Sequence, residues 1–265
     1  MNASSASPRW ALVLGASSGF GEAACLAFAR AGYDIFGVHL DRKQGLAHVA
    51  EIVDKIVGEK RRAHFFNINA ADHDKRRETI AEMKEAAAGA PVRVLMHSLA
   101  FGTLKPYIAG EEKDAIAPAQ IDMTLDVMAH SLVYWTQDLH RSGLLRRGSK
   151  IYAMTSAGDK IVWKAYGAVS AAKCALESHI RQLAVELSAE GITANGIKAG
   201  VTDTPALRKI PGNDIIVESA IKRNPAGRLT TPEDVARCLV ALSADGTEWM
   251  TGNVIQVDGG EDVAG

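Results

Sequence analysis

The chain has 265 residues, 47% hydrophobic and 23% charged, which is the composition of a globular protein with room for one large α/β domain or two small ones. Its 30 basic and 31 acidic side chains leave a formal charge of -1, with the signs interspersed, so it lacks the single-sign field that nucleic acid or an anionic membrane selects. No window reaches the ~20 apolar residues of a membrane span.

In chain order, residues 1–9 (MNASSASPR) are small and polar with no apolar run behind them, and read as a disordered tail instead of a signal peptide. WALVLG (10–15) predicts a strand, followed by a helix from Gly19 to Ala31 that Gly32 stops. Between them, GASSGFGEA spaces Gly15, Gly19 and Gly21 as GxxxGxG. Glycine suits that place because the chain turns sharply there and a pyrophosphate must come close to the backbone, its charge meeting the helix N-terminus. At the first strand-to-helix junction the pattern predicts dinucleotide binding by Gly15, Ser17, Ser18, Gly19, Phe20 and Gly21.

DIFGVHL (34–40) is the next strand, with a helix over 43–57. A carboxylate at that strand end would accept from an adenosine ribose, and a base would pair with a 2′-phosphate. His39 occupies the end, followed by Asp41, Arg42 and Lys43. Arg42 or Lys43 favours NADPH, while Asp41 keeps NADH open.

Further strands are expected at 63–68, 92–98, 150–156, 192–200 and 252–260, and helices at 74–88, 119–142, 166–189 and 232–243. Strands apolar on both faces, alternating with helices, predict one doubly wound parallel sheet with helices on both sides. No repeat or linker divides residues 10–265. The basic runs EKRR (59–62) and DKRR (74–77) read as solvated helix faces. Cys25, Cys174 and Cys238 fit neither metal-ligand spacing nor an even disulfide set, and predict buried thiols in a reducing, cytoplasmic setting. The segment 203–228, broken by Pro and Gly, is a substrate lid or a surface excursion.

KAYGAVSAAK (164–173) carries Tyr166 and Lys173 at the start of a predicted helix. With the glycine turn and the terminal TGNVIQVDGG, it makes the chain from Trp10 to Gly260 resemble the short-chain dehydrogenase/reductase superfamily, whose Rossmann-type fold it should share. Asn69, with Ala70 beside it, stands where that family contacts adenine, and AGVTDT (199–204) stands where a backbone amide and Thr204 meet the nicotinamide carboxamide, beside Gly200 and Val201. Departures point further. The common tyrosine slot, four before Lys173, holds valine; Ser156 keeps its place seventeen before the lysine; the asparagine slot near Met128 holds none. HSLAF (97–101) replaces the NNAG turn, bringing Ser98, Leu99 and Ala100 to the cofactor. This set resembles the divergent branch containing the enoyl-acyl-carrier-protein reductases, and NPAGRL with TDTPALRKIP resembles their third, NADPH-dependent type.

Four helical residues advance by ~400° and ~6 Å, seven by ~700° and ~10.5 Å. Either spacing keeps the pair on one face, but Tyr166 starts farther back, at or before the helix start. A displaced tyrosine suits an oxygen displaced from the hydride-receiving carbon, as in conjugate reduction of an enoyl thioester. The resemblance implies Tyr166, Lys173 and Ser156 as catalytic residues, the lysine holding the nicotinamide ribose and lending positive charge to Tyr166. Ser156 either bonds the same oxygen or caps the strand. His97 reads as a positioning residue more than a base, and Phe101 and Tyr107 as tunnel lining or core. Arg208, Lys209, Lys222 and Arg223 offer a dock for an acidic acyl carrier protein, and relatives are commonly tetramers, so a homo-oligomer is expected. The rival readings are a carbonyl or 3-oxoacyl reductase and a non-catalytic NADPH sensor.

Overall fold

Strand β1 (Trp10–Leu14) is buried at all five positions, as a run without a polar face demands of its neighbours. The computed structural model describes residues 8–159 and 162–264, so most of the expected tail, residues 1–7, lies outside the described residues. Arg9 at its end is held, donating to the Ala31 carbonyl at 2.8 Å and lying over the Tyr33 ring.

Strands β2 (Asp34–His39), β3 (Ala63–Asn67), β4 (Val92–His97), β5 (Lys150–Thr155), β6 (Thr193–Ala199) and β7 (Val254–Val257) join β1 in one sheet, order β3-β2-β1-β4-β5-β6-β7, every pairing parallel. Alternate residues feed opposite cores. Leu12, Leu14, Leu95, Ile151 and Ala153 pack on one side against α3 (His73–Ala87), α5 (Ser131–Arg141) and α6 (Gly167–Leu187). Ala11, Val13, Met96, Tyr152 and Met154 pack on the other against α1 (Gly19–Arg30), α2 (Leu46–Gly58) and α8 (Pro232–Leu242). The strand order reverses between β1 and β4, which opens a crevice at their C-terminal ends, the place where doubly wound sheets bind ligands.

Some local expectations need correcting. The helix expected over 119–142 is α4 (Pro118–Leu125), a wider π turn at Asp126–His130, and then α5. One extra residue in that turn leaves the Val127 carbonyl to accept from the Ser131 hydroxyl at 2.8 Å, and such turns mark functional places in helices. Segment 203–228 holds a helix that the sequence pattern does not announce, α7 (Asn213–Arg223), whose one buried residue is Ala220. Without an apolar stripe there is no period to read.

The basic runs are only partly solvated. Arg76 is buried with its Nε 2.7 Å from Asp138 Oδ2, and Arg62 pairs with Asp34 at 2.7 Å while lying over Trp10. Of the cysteines Cys25 is buried, Cys238 half-buried and Cys174 exposed, because a helix turns ~100° per residue and Cys174 follows an inward-facing lysine. No helix among the described residues is long and apolar enough to cross a membrane.

Close packing of α1 against its own approach turn fixes the crevice. A Cβ on Gly21 would lie 1.9 Å from the Gly15 carbonyl oxygen, and one on Gly15, at φ +91, would lie 2.3 Å from the Ser98 oxygen. Both are backbone atoms that cannot swing aside. Gly21→Ala therefore costs about 3 kcal/mol, an overpacking penalty, and lowers the thermal midpoint by about 6 °C for a domain of this size. An unchanged midpoint in circular dichroism melts would contradict this packing.

Candidate active site

The C-terminal ends of β1, β4, β5 and β6 surround the crevice. At β1, Ser18 precedes α1 with extended dihedrals and gives it no side-chain cap. The first-turn amides of Gly19, Phe20 and Gly21 thus face the glycine turn with no side chain bonded across them, which fits an anion at the helix start. Thr204, buried beyond β6, lies across from Gly19: a Cβ there would touch its Cγ2 at 3.4 Å. The structure therefore brings the glycine turn and the loop after β6 together across the crevice. A glycine cradle that a Cβ would fill, facing an uncapped helix, fits a dinucleotide pyrophosphate.

At the end of β2, His39 is buried, with Nδ1 2.9 Å from Asp41 Oδ2. The Asp41 amide donates to Asn67 Oδ1, and the Asn67 amide group donates back to the Asp41 carbonyl, both at 2.9 Å. Asp41 is thereby folded onto His39, while the exposed Arg42 and Lys43 side chains make no hydrogen bond or ion pair among the described residues. After β3, Asn69 Oδ1 accepts from the Ala71 amide at 3.0 Å, and the Ala70 carbonyl accepts from Trp135 Nε1 at 2.9 Å, tying this turn to α5.

β5 and α6 carry the reactive groups. Tyr166 is the N-cap of α6, and the Ser170 amide donates to its carbonyl at 2.9 Å. The tyrosine begins the helix, one of the two placements its spacing allowed. The turn before it puts Ala165 at φ 62, a left-handed conformation that costs a non-glycine residue about 1 kcal/mol. The Tyr166 ring lies over Gly158, where a Cβ would meet its Cε1 at 2.5 Å, with Ser156 Oγ beside it. Burial raises the phenol above its ordinary value, and a hydrogen bond from Ser156 draws it part of the way back. Ser156 Oγ and the edge of the Tyr166 ring thus flank the same point above Gly158. Ser156 Oγ also accepts from the Gly158 amide at 3.3 Å.

Lys173 is buried, its Nζ donating to the Met154 carbonyl at 2.7 Å. Burial lowers its pKa to about 8, against the pull of Glu177 one helical turn on. Glu177 is oriented by the Thr155 hydroxyl, which donates to its Oε1 at 2.6 Å. His97 is fully enclosed, with Nε2 2.9 Å from Ser131 Oγ. Since the Ser131 hydrogen is given to Val127, His97 donates from Nε2 and keeps a bare, unpartnered Nδ1. Burial first, then the Lys173 charge, lower its pKa to about 3, so it is neutral and lies inside the protein, beside the lysine instead of on the crevice. Ser98 continues the sheet, its amide donating to the Leu14 carbonyl at 2.8 Å, with Leu99 packed against the core and Ala100 exposed.

Beyond β6, the Val201 amide donates to Glu261 Oε2 at 3.0 Å, and the Thr202 hydroxyl donates to the Gly200 carbonyl at 2.9 Å. Phe101 and Tyr107 are more than half exposed and so are not core; the Tyr107 ring lies against Gly167 at the start of α6. Arg208 is paired with Asp203 at 2.7 Å, Arg223 with Glu261 at 3.3 Å and Arg228 with Asp234, leaving Lys209 and Lys222 as the exposed cations of this segment without an ion pair among the described residues. Sequence reasoning missed Ser131, Glu177 and Glu261; the only local sign was the position of Glu177 four residues after Lys173, one helical turn away.

Fold and site together define a short-chain dehydrogenase/reductase. Residues 15–261 match the sequence model described as enoyl-(acyl carrier protein) reductase, and the chain belongs to that family as a nicotinamide-dependent short-chain oxidoreductase. It is 31% identical to the enoyl-acyl-carrier-protein reductase (NADH) FabI of Aquifex aeolicus over 65% of its own length and 63% of that relative's, less than two thirds of the latter. It is 24% identical to the 3-oxoacyl-acyl-carrier-protein reductase FabG of Thermotoga maritima over 94% and 96% of the two chains. The crystal structure of the Aquifex aeolicus enoyl reductase superposes with a TM-score of 0.84 over 98% of both chains at 24% identity, a likeness of fold.

The lysine's burial has a pH signature. Its pKa is depressed by folding, from 10.5 to about 8, so the charged form is disfavoured in the native state. Lys173 therefore costs stability below pH about 8, and the cost is relieved as pH rises toward the unfolded value. Denaturant unfolding of wild type and Lys173→Met across this range should show wild type gaining on the variant as pH rises. A pH-independent difference would contradict the burial.

Proposed function

We propose that the protein is an NADPH-dependent reductase of enoyl thioesters in fatty acid or related acyl synthesis. The observation that carries this reading is Tyr166: it begins α6, seven residues before Lys173, half-buried with its ring beside Ser156 Oγ. When bound, the nicotinamide supplies hydride to the β-carbon of the thioester. The electron pair released from the double bond moves to the thioester oxygen, three bonds away, and an acid placed for a carbonyl at the hydride-receiving carbon would not reach it.

Tyr166 donates a hydrogen bond to that oxygen and gives up its proton as the enolate develops. Ser156 stabilises the resulting phenolate; as the enol collapses the α-carbon takes one proton from solvent and the enol oxygen returns its proton to Tyr166, restoring the phenol. Lys173 holds the ribose hydroxyls, its charge kept within the protein by Met154 and Glu177. Gly15, Ser17, Ser18, Gly19, Phe20 and Gly21 take the pyrophosphate, Asn69 and Ala70 the adenine, and Ser98, Leu99 and Ala100 the floor beneath the ribose. Gly200, Val201 and Thr204 face the nicotinamide.

For the cofactor, His39 and Arg42 take the adenosine end. The folding of Asp41 onto His39, with Arg42 and Lys43 unengaged, supports a 2′-phosphate. NADH is the second reading, favoured by the relative whose name specifies it. Exposed Phe101, Tyr107 and Ile108 in the segment after β4 and Ile215 on α7 support an acyl chain, and segment 203–228 serves as its lid. Lys209 and Lys222 are the cations left for an acyl carrier protein. A homo-oligomer is part of the proposal, supported by Val185, which leaves 76% of its surface exposed on α6.

Reduction of a 3-oxoacyl thioester or another carbonyl is the competing reaction, favoured by the placement of Ser156 Oγ beside the Tyr166 ring, from which it could equally steady an oxygen on the hydride-receiving carbon. Oxidation of NADPH or NADH with a crotonyl thioester, and then with an acetoacetyl thioester, separates the two. Turnover of the crotonyl substrate is expected, and turnover of the acetoacetyl substrate alone would overturn the proposal. Tyr166→Phe should lower kcat by about 100-fold or more, the scale of a lost general acid, with cofactor affinity unchanged; a wild-type rate in that variant would remove Tyr166 as the acid.

A further inference from the structure

Glu261 has no part in the chemistry above and lies beyond the last strand, yet it is one of the most deeply buried carboxylates of the described residues, 3% exposed. Its two oxygens are divided between two elements. Oε2 accepts from the Val201 amide at 3.0 Å, in the turn after β6, and Oε1 lies 3.3 Å from Arg223 Nη2, in the last turn of α7. The approach to the turn is close: a Cβ on Gly200 would stand 2.9 Å from Glu261 Oε2 and 2.4 Å from Thr230 Oγ1, so the backbone is laid directly on the carboxylate. A second tie lies beside the first. Asn224, immediately after α7, donates to the Asp258 carbonyl at 2.9 Å, and Asp258 accepts from the Gly260 and Asp262 amides at 2.9 and 3.0 Å. The C-terminal segment is thus folded on itself and presents Glu261 at one fixed point.

A carboxylate this deep needs a partner for its charge, because burial without one disfavours the ionised form. One of its partners is the turn that faces the nicotinamide, and the other is the end of the helix that makes up much of the lid. α7 otherwise buries only Ala220, so it has little apolar contact to hold it.

From these contacts we infer that Glu261 is a positioning residue, a shared anchor whose one oxygen sets the nicotinamide-side turn and whose other oxygen holds the C-terminal end of the lid helix. The inference rests on the proposed function for the roles of turn and lid, but the anchoring itself is measurable without substrate.

The experiment is amide hydrogen exchange of the protein without cofactor, read separately over 199–204 and 213–223, for wild type, Glu261→Ala, Glu261→Gln and Arg223→Ala, together with fluorescence titration of NADPH and NADH. Glu261→Ala removes both arms: exchange rises in both segments and the cofactor Kd rises about tenfold, the value of one hydrogen bond to a charged acceptor. Glu261→Gln keeps an oxygen for Val201 and loses the ion pair, so exchange rises in 213–223 alone. Arg223→Ala does the same, with the cofactor Kd at its wild-type value and a raised KM for the thioester at unchanged kcat. General destabilisation would move all of these readouts together and would not give that split.

The inference is overturned if a folded Glu261→Ala leaves exchange over 199–204 and the cofactor Kd unchanged. It is equally overturned if Glu261→Gln and Arg223→Ala weaken cofactor binding as much as Glu261→Ala does. Should crotonyl thioester not be reduced while the exchange pattern holds, the proposed substrate fails and the anchor stands.

Discussion

The contact on which the rest of the site depends is the hydrogen bond from the Lys173 ammonium to the Met154 carbonyl, at 2.7 Å inside the protein. An ammonium removed from water costs several kcal/mol unless its donors are met. Here the cost is visible as a pKa lowered to about 8, which still leaves the group charged at neutral pH. That bond clamps the second turn of α6 to the end of β5. Tyr166 at the helix start and Ser156 just past the strand are then held against each other by parts already fixed. Glu177, oriented by Thr155, supplies the compensating charge one turn deeper. His97 stays neutral chiefly because it is fully buried, and the Lys173 charge adds to that.

On the other side of the crevice the constraint is steric. Gly15 and Gly21 let α1 lie on its own approach turn, and the absence of a side-chain cap at Ser18 leaves the helix start to face an anion. Thr204 closes over Gly19 from the loop after β6. One wall is therefore set by a buried charge and the other by missing side chains, and the reacting atoms would meet between them. The longer Tyr166-to-Lys173 spacing changes only one element of this arrangement. The lysine and Ser156 stay on the β5 frame, while the phenol enters from the helix start, after a left-handed Ala165.

All seven strands were legible in the sequence as short apolar runs between helical stretches, continuous in the central strands that are covered on both faces and weaker in the half-covered edge strands β3 and β7. The glycine turn was marked by its place at the first strand-to-helix junction, while Tyr166, Lys173, Ser156 and Thr204 were picked out by the family resemblance; the structure sets Tyr166 at the start of α6, Ser156 just past β5 and Thr204 in the loop after β6. α7 was not legible, since burying Ala220 alone leaves no period. The π turn at Asp126–His130 was hidden because local sequence does not specify an extra residue in a helix; the His97–Ser131 contact beside it arises only once β4 and α5 have packed. Glu261 was beyond reach for a related reason, because both of its partners are distant in the chain, and an acidic residue near a terminus ordinarily reads as solvated.

In the proposed reaction, hydride goes to a carbon remote from the oxygen that Tyr166 serves. The most direct measurement is the position of label in the product when the protein is given crotonyl and acetoacetyl thioesters together with reduced nicotinamide deuterated at C4, in either stereochemical form, and the products are read by nuclear magnetic resonance. The account predicts deuterium at C3 of a butyryl thioester. Deuterium found only on the carbinol carbon of a 3-hydroxybutyryl thioester, with crotonyl thioester left intact, would contradict it.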